Sequence, residues 1–387
     1  MINKNTPTDW KCESLKYKIE IIHGFGFKSE FFKSFGIYSL TTPGNFYEEG
    51  GFKKLDDKQK FYDGPVSSYY ILKTGDMIIA MTEQSEGLLG SAAIIPKTDT
   101  YLHNQRLGKI KQITNEIDLD YLYWIFNSEQ FRLHVTDTSV GTKVKHTSPT
   151  KLLDIPVTFP TQIDEQSKIS TLLFDMNDLI QKLNKLIEKK KNVKQSLMNE
   201  FLTGNRRISG FNKKWKFIPL GKLCELKKGE MITRREQKSG TIPVIAGGTE
   251  PSFFHNKANR MNKTITISAS GTSGYVQFHS KPIFASDCHT IEENGSFSIE
   301  FLYYVLLLKQ QEIYGLRVGH APSHVRPTEL NLLELTIPND LFEQLTLSKI
   351  FLEIDLELIK LKQQAKKYEM IKKGMMQKLL TGEIRIK

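Results

Sequence analysis

The chain has 387 residues, enough for two or three domains, and with 39% hydrophobic and 25% charged residues it can build sizeable cores. It has no run of 18 apolar residues and no charged-then-apolar leader, so neither a membrane span nor a secretory signal is expected. Cys12, Cys224 and Cys288 lie far apart without a Cys-x-x-Cys pair, which argues against a disulfide framework or a cysteine-rich zinc site and fits a reducing cytoplasm; the net charge of +11 suits nucleic acid, an anionic membrane, an acidic partner or simply a lysine-rich solvated face.

Taken in order, Trp10 opens a stretch rich in Gly, Phe and Tyr. Pro43–Asn45 reads as a turn, Met77–Met81 as a strand, and Tyr121–Phe126 as a short apolar helix. Next comes a helix from Glu165 to Gly204. Its Ile169, Met176, Leu183 and Leu197 keep a seven-residue spacing interrupted by Lys190, beside a companion row of Leu172, Leu179, Leu186 and Val193. Two apolar rows at that period predict a coiled-coil seam. Trp215 opens a second globular stretch, with strands at Thr264–Ser270 and Tyr275–His279, turns at Lys238–Thr241 and Ala246–Pro251, and an apolar helix at Phe301–Leu308. The last helix runs from Glu343 to Gly382, with Leu347, Ile354, Leu361, Tyr368 and Met375 beside Ile350, Phe351, Leu358 and Ala365. Neither long segment contains proline, and Gly204 and Gly382 stand where a C-terminal glycine cap belongs.

The two halves repeat. Residues 141–208 align without gaps on 319–386 at a shift of 178, with 20 identities over 68 positions; chance would give about four. His146, Pro149 and Thr150 match His324, Pro327 and Thr328, Thr158 and Pro160 match Thr336 and Pro338, and Leu202-Thr203-Gly204 matches Leu380-Thr381-Gly382. The fold class is therefore α+β: two globular mixed α/β domains, at 1–160 and 209–338, joined by long helices within 161–208 and 339–387 as a pseudo-twofold internal repeat. Their length and polar outer face favour pairing of the two helices with each other over separate burial of each in its own core.

Catalytic motifs are missing. The chain has no Gly-x4-Gly-Lys-Ser/Thr phosphate loop, no Asn/Asp-Pro-Pro-Tyr tetrapeptide of amino-methyltransferases, and no His-Glu-x-x-His or His-x-His cluster. His23-Gly24-Phe25-Gly26 reads as a turn. Glu188-Lys189-Lys190 and Glu225-Leu226-Lys227 match only the tail of a nuclease signature, a tripeptide common by chance, and Glu188 sits on a long helix with no acidic partner at suitable spacing.

Two globules, each followed by a long helix ending in Leu-Thr-Gly, resemble the specificity subunits of type I restriction–modification enzymes. The dispersed signature is the proline before each helix (Pro160, Pro338), the Glu-Gln pair (Glu165-Gln166, Glu343-Gln344), the heptads and the terminal Leu-Thr-Gly, with Trp215 to Gly221 as a Trp-x4-Leu-Gly opening of the second half. The resemblance spans essentially the whole chain. It implies two target recognition domains, each reading half of a split, asymmetric site in double-stranded DNA, with the two long helices paired as an antiparallel coiled coil that acts as spacer. It also implies two modification (methyltransferase) subunits using S-adenosylmethionine and two restriction (motor–nuclease) subunits using ATP and Mg2+. The chain itself would bind no cofactor and hold no active site. A helix of about 35 residues spans about 50 Å, commensurate with half-sites one turn of B-DNA apart at about 34–36 Å.

Base reading needs Arg, Lys, Asn, Gln or hydroxyl side chains on loops, and phosphate holding needs Lys and Arg. The loop Ser139–Ser148 offers Thr142, Lys143, Lys145, His146 and Thr147, and its repeat partner offers Arg317, His320, Ser323, His324 and Arg326. Arg106, Thr272, Ser273, Lys228, Arg234 and Arg235 are further candidates. The matched histidines equally suit a shared structural hydrogen bond. For helix pairing the candidates are Leu172, Met176, Leu179, Leu183, Leu186, Val193, Ile354, Leu358, Leu361, Tyr368 and Met375. The competing readings are a non-enzymatic coiled-coil scaffold with two ligand-binding globules, and a stand-alone nuclease.

Overall fold

The computed structural model describes residues 7–83, 87–96, 100–142, 144–319 and 323–386. The chain forms two compact units, Met1–Lys182 with Ala365–Lys387, and Leu183–Gln364. Each unit joins one globule to part of both long helices.

In the first unit a four-stranded antiparallel sheet runs in the order Ile19–His23, Leu107–Gln112, Met77–Ala80, Ala92–Ile94. Its inner strand is buried on both faces, so it reads as a continuous apolar run. Met77 and Ile79 face one core, while Ile78 and Ala80 face another, as the two-residue period of a strand requires. A second sheet of five short strands carries Tyr38–Thr41 parallel to Tyr101–His103. The helix Leu119–Phe126 is buried from Tyr121 to Phe126, and the Asp118 carboxylate caps it by accepting from the Tyr121 N–H. Trp10–Ser14 pairs with Pro156–Pro160 as a separate ribbon.

The second unit repeats this plan. Its four-stranded sheet runs Lys227–Lys228, Cys288–Glu292, Thr264–Ser268, Val276–His279. Ser298 caps the buried helix Ile299–Leu308, and Trp215–Pro219 pairs with Glu334–Pro338. Trp10 faces Pro160 in one ribbon and Trp215 faces Pro338 in the other, the same register twice. The second sheet differs, with three strands instead of five.

The long helices span Ile163–Phe201 and Leu341–Leu379. In each unit the start of one helix meets the end of the other. Lys190 and Lys194 pair with Glu357 and Asp355 at 2.6 Å, and in the first unit Asn177 and Glu165 meet Lys372 and Arg385. Partners descend as numbers rise, so the pairing within each unit is antiparallel.

The seam departs from its sequence reading in the first helix. Leu172, Leu179, Leu186 and Val193 are 41–47% exposed. The buried row lies one residue further on, at Leu173, Ile180 and Ile187, with half-buried Lys194 continuing it. The repeat contains the reason. The buried row corresponds to Phe351, Leu358, Ala365 and Lys372, whereas the exposed row corresponds to Ile350, Glu357, Gln364 and Ile371. Only the first of these can face a partner helix in both copies. Met176 and Leu183 are half-buried, as are Ile354, Leu361, Tyr368 and Met375, and Leu358 is buried.

A latch closes each unit. Gly204 and Gly382 adopt left-handed φ of 79° and 74°, and the N–H groups of Arg206 and Ile384 reach back to the carbonyls of Glu200 and Lys378 in Schellman caps. The chain then delivers Arg207 to Glu343 through two hydrogen bonds of 3.0 and 2.6 Å, with the Trp215 indole N–H donating to the same carboxylate. Its counterpart Arg385 clasps Glu165 and Asp9, above the Trp10 ring. Gln166 accepts from the Asp118 N–H and donates to the Pro160 carbonyl, and Gln344 does the same with Ser298 and Pro338. The Glu-Gln pair thus ties helix, ribbon and capped core helix together.

Candidate nucleic-acid interface

At one end of the first unit's four-stranded sheet, three chain segments converge. The strands pair Leu107 with Ala80, and one residue further the Met81 N–H donates to the Arg106 carbonyl at 2.9 Å. The Met81 carbonyl then accepts from the Thr147 N–H, and the Glu83 N–H donates to the Lys145 carbonyl. The loop 140–146 closes on itself through reciprocal bonds between Val140 and His146, at 3.0 and 2.8 Å. Gly141 turns it with φ of 109°, where a Cβ would fall 2.2 Å from the Val144 carbonyl oxygen. The His146 Nδ1 lies 3.1 Å from the Thr82 hydroxyl.

The result is one cluster. Arg106, Thr142 and His146 are exposed and Lys145 is half-buried. These side chains combine cationic and neutral hydrogen-bonding groups on a rigid sheet end, which suits both phosphate and base contact. The half-buried Thr147 has its hydroxyl buried and, among the described residues, without a hydrogen-bond partner, so it faces the fold and does not present a donor outward. Lys143 lies outside the described residues. The His146 ring makes a structural hydrogen bond to Thr82 that, among the described residues, the His324 ring does not share, and its exposure leaves the His146 ring accessible as well.

The second unit builds the same end. Ser268 pairs with Cys288, the Ala269 N–H donates to the Asp287 carbonyl, and the Ala269 carbonyl accepts from the Val325 N–H. Val318 and His324 close the loop at 2.8 and 3.0 Å, with Gly319 at φ of 92°. The Arg317 guanidinium donates to the Ser273 carbonyl at 2.8 Å and stacks 4.0 Å over the Tyr314 ring. Ser273 is fully buried and its hydroxyl bonds that of Ser323. This corrects its place among the candidate contacts: it supports the loop from beneath. Half-buried Thr272 is anchored by its N–H to the Gly247 carbonyl. Arg317, His324 and Arg326 are exposed, Ser323 is half-buried, and His320 lies outside the described residues.

Lys228 belongs to the same sheet, on an exposed edge strand paired with His289. The chain beyond it runs along Ala285–Cys288 through the N–H groups of Gly229 and Glu230. Arg234 and Arg235 follow in an exposed turn held by Thr233 and Glu236. No hydrogen bond between described residues joins these two arginines to the Val318–His324 loop.

The sequence reading missed one feature of the site. Asp287 occupies the backbone position that Arg106 holds in the first unit, and the Ser270 hydroxyl donates to it. The repeat alignment begins only at Gly141 and Gly319, so it could not register this pair.

A family model for the type I restriction modification DNA specificity domain matches this chain twice, over residues 7–192 and 212–370. The chain belongs to that family. The MjaX specificity subunit of Methanocaldococcus jannaschii is 25% identical over 98% of this chain and 95% of its own length. The MjaVIII specificity subunit of the same organism is 26% identical over 53% of this chain, and the aligned part spans 48% of that protein. Among solved structures, the type I system S subunit from M. genitalium superposes with a TM-score of 0.70 at 16% identity, covering 98% of this chain and 97% of that one. A structure describing assembly and conformational transition of the type I restriction–modification system gives 0.59 at 12% identity, over 99% and 100%. At these identities the structural likeness speaks to the fold alone, and the fold is the duplicated one described above.

Proposed function

We propose that this chain is the DNA-specificity subunit of a type I restriction–modification enzyme, reading a bipartite, asymmetric site with one unit per half. The observation that carries it is the double match to the specificity-domain family, on units whose sheet ends present equivalent loops with exposed histidines, beside exposed Arg106 in one and exposed Arg317 and Arg326 in the other. Those loops differ in sequence, so two unlike half-sites follow. The family match disfavours the scaffold reading.

In this reading the chain performs no chemistry. Modification subunits methylate the bound DNA with S-adenosylmethionine, and restriction subunits use ATP and Mg2+ to cleave. Two copies of each are the stoichiometry that the family resemblance suggests. The exposed leucines of the first long helix, Leu172 and Leu179 in one unit and Leu186 in the other, suit the modification subunits as partners. Among the described residues no helix is long and apolar enough to cross a membrane, and we place the complex in the cytoplasm with its DNA.

The test is reconstitution. The purified chain should bind duplex DNA weakly, with affinity falling steeply as salt rises. Sequence-specific methylation should appear only when the modification subunit is added. Methylation by the chain alone would overturn the reading.

A further inference from the structure

The two sheet ends are equivalent in backbone and opposite in charge. Arg106 and Asp287 each stand one residue before an inner strand, and each carbonyl accepts from the residue just past the neighbouring strand, Met81 or Ala269. Beside each lies a hydroxyl, Thr82 or Ser270; Thr82 pairs across to the exposed repeat histidine His146, whereas Ser270 bonds Asp287 itself. Arg106 is exposed, and its N–H is fixed by the Asn104 side chain at 3.0 Å. Asp287 is half-buried, with one carboxylate oxygen held by Ser270.

Resting on the DNA-reading function above, we infer that Arg106 and Asp287 are the specificity-determining residues at matching positions of the two half-sites. Arg106 selects a guanine and Asp287 selects a cytosine. A guanidinium offers two parallel donors that fit guanine O6 and N7. A carboxylate offers only acceptors, so against a polyanion it is repelled unless a base donates to it. Cytosine N4 is such a donor with no acceptor of its own base beside it in the major groove, whereas adenine places N7 next to its amino group. The Ser270 hydroxyl orients the carboxylate and lowers the cost of holding it there. The exposed neighbouring cations Arg326 and Lys228 serve the phosphates, while Arg317 is held against the Ser273 carbonyl and the Tyr314 ring.

The experiment uses the full chain with its modification subunit and a duplex library covering every single-base change in the recognised split sequence. Methylation rates are measured for wild type, Arg106→Gln, Arg106→Lys and Asp287→Asn. Arg106→Gln should flatten discrimination by about 5- to 150-fold at one G·C pair in one half-site, leaving the other half as a built-in control of folding. Asp287→Asn should do the same at one pair in the other half. A uniform fall in rate across the library, with discrimination intact, would assign these residues to phosphate contact or structure and overturn the inference while the DNA-reading function stands. Effects of both variants in the same half-site would overturn it too, as would complete inactivity of both Arg106 variants. A wild-type complex without sequence preference would instead overturn the underlying reading.

Discussion

Arg207 and Arg385 are the residues on which the closure of each unit turns. Glu343 is almost fully buried, and its charge is tolerable because Arg207 and Trp215 both donate to it. Arg207→Ala strands that carboxylate and should cost about 3–5 kcal/mol in urea unfolding. Glu343→Gln should cost less, because the amide still accepts from Trp215 while the more exposed Arg207 reaches water. Equal losses would contradict this account. Burial also acts on His103, whose Nε2–H donates to the Leu107 carbonyl and whose pKa is pushed down to about 4, chiefly by desolvation. Above its ordinary value of about 6.5 both states are neutral. As pH falls toward 4, the unfolded chain takes up a proton that the folded chain refuses, so stability is lost through that window, by an amount on the order of 3 kcal/mol. His103→Gln should reduce the slope in that window to what His279, likewise pushed down to about 4 by burial, supplies, and an unchanged slope would remove His103 as a source. The sequence showed the Glu-Gln pair as a signature without a role, because the arginine each glutamate holds comes from the other helix's end, more than a hundred residues away. The identity of Arg207 with Arg385 in the repeat was the available clue.

The long helices show where heptad reading works and where it stops. Length, absence of proline and the glycine caps gave both helices nearly to the residue. In the second helix the seven-residue period picked out residues that are buried or half-buried, with the exception of Ile350, which is 37% exposed. In the first helix two adjacent apolar rows satisfy the same period, and period alone cannot choose between rows one residue apart. Requiring the row to be apolar in both copies would have chosen Leu173, Ile180 and Ile187. The consequence is measurable. Ile187→Ala removes a side chain that is 5% exposed and should cost about 2–4 kcal/mol, whereas Leu186→Ala next to it should change stability by less than about 0.5 kcal/mol. A reversed order in thermal or urea unfolding would restore the original seam. The strands Met77–Ala80 and Thr264–Ser268 and the buried helices Leu119–Phe126 and Ile299–Leu308 were legible because they are uniformly apolar or β-branched. The short strands of the second sheets were not. Two or three residues long, they are fixed by long-range pairing and carry no local signal.

Across the whole chain, duplication is what links sequence to function. It predicts two heads, and the structure supplies two units with the same ribbon register, the same latch and the same closed basic loop. Divergence between the copies is equally informative, since the unlike loops, and Arg106 against Asp287, fit the proposed reading of unlike half-sites. The candidate contacts were legible as loops but not as side chains. Burial turned Ser273 inward, and the Thr147 hydroxyl with it, because local sequence does not say which face of a loop meets the sheet. The central claim is that this chain sets the sequence its enzyme modifies, and mapping N6-methyladenine across the source genome with and without its gene tests that most directly. The expected result is an asymmetric split motif with a fixed gap, methylated in the parent and unmethylated in the deletion strain. Persistence of every methylated motif after deletion, in a strain whose modification subunit is active, would contradict the account.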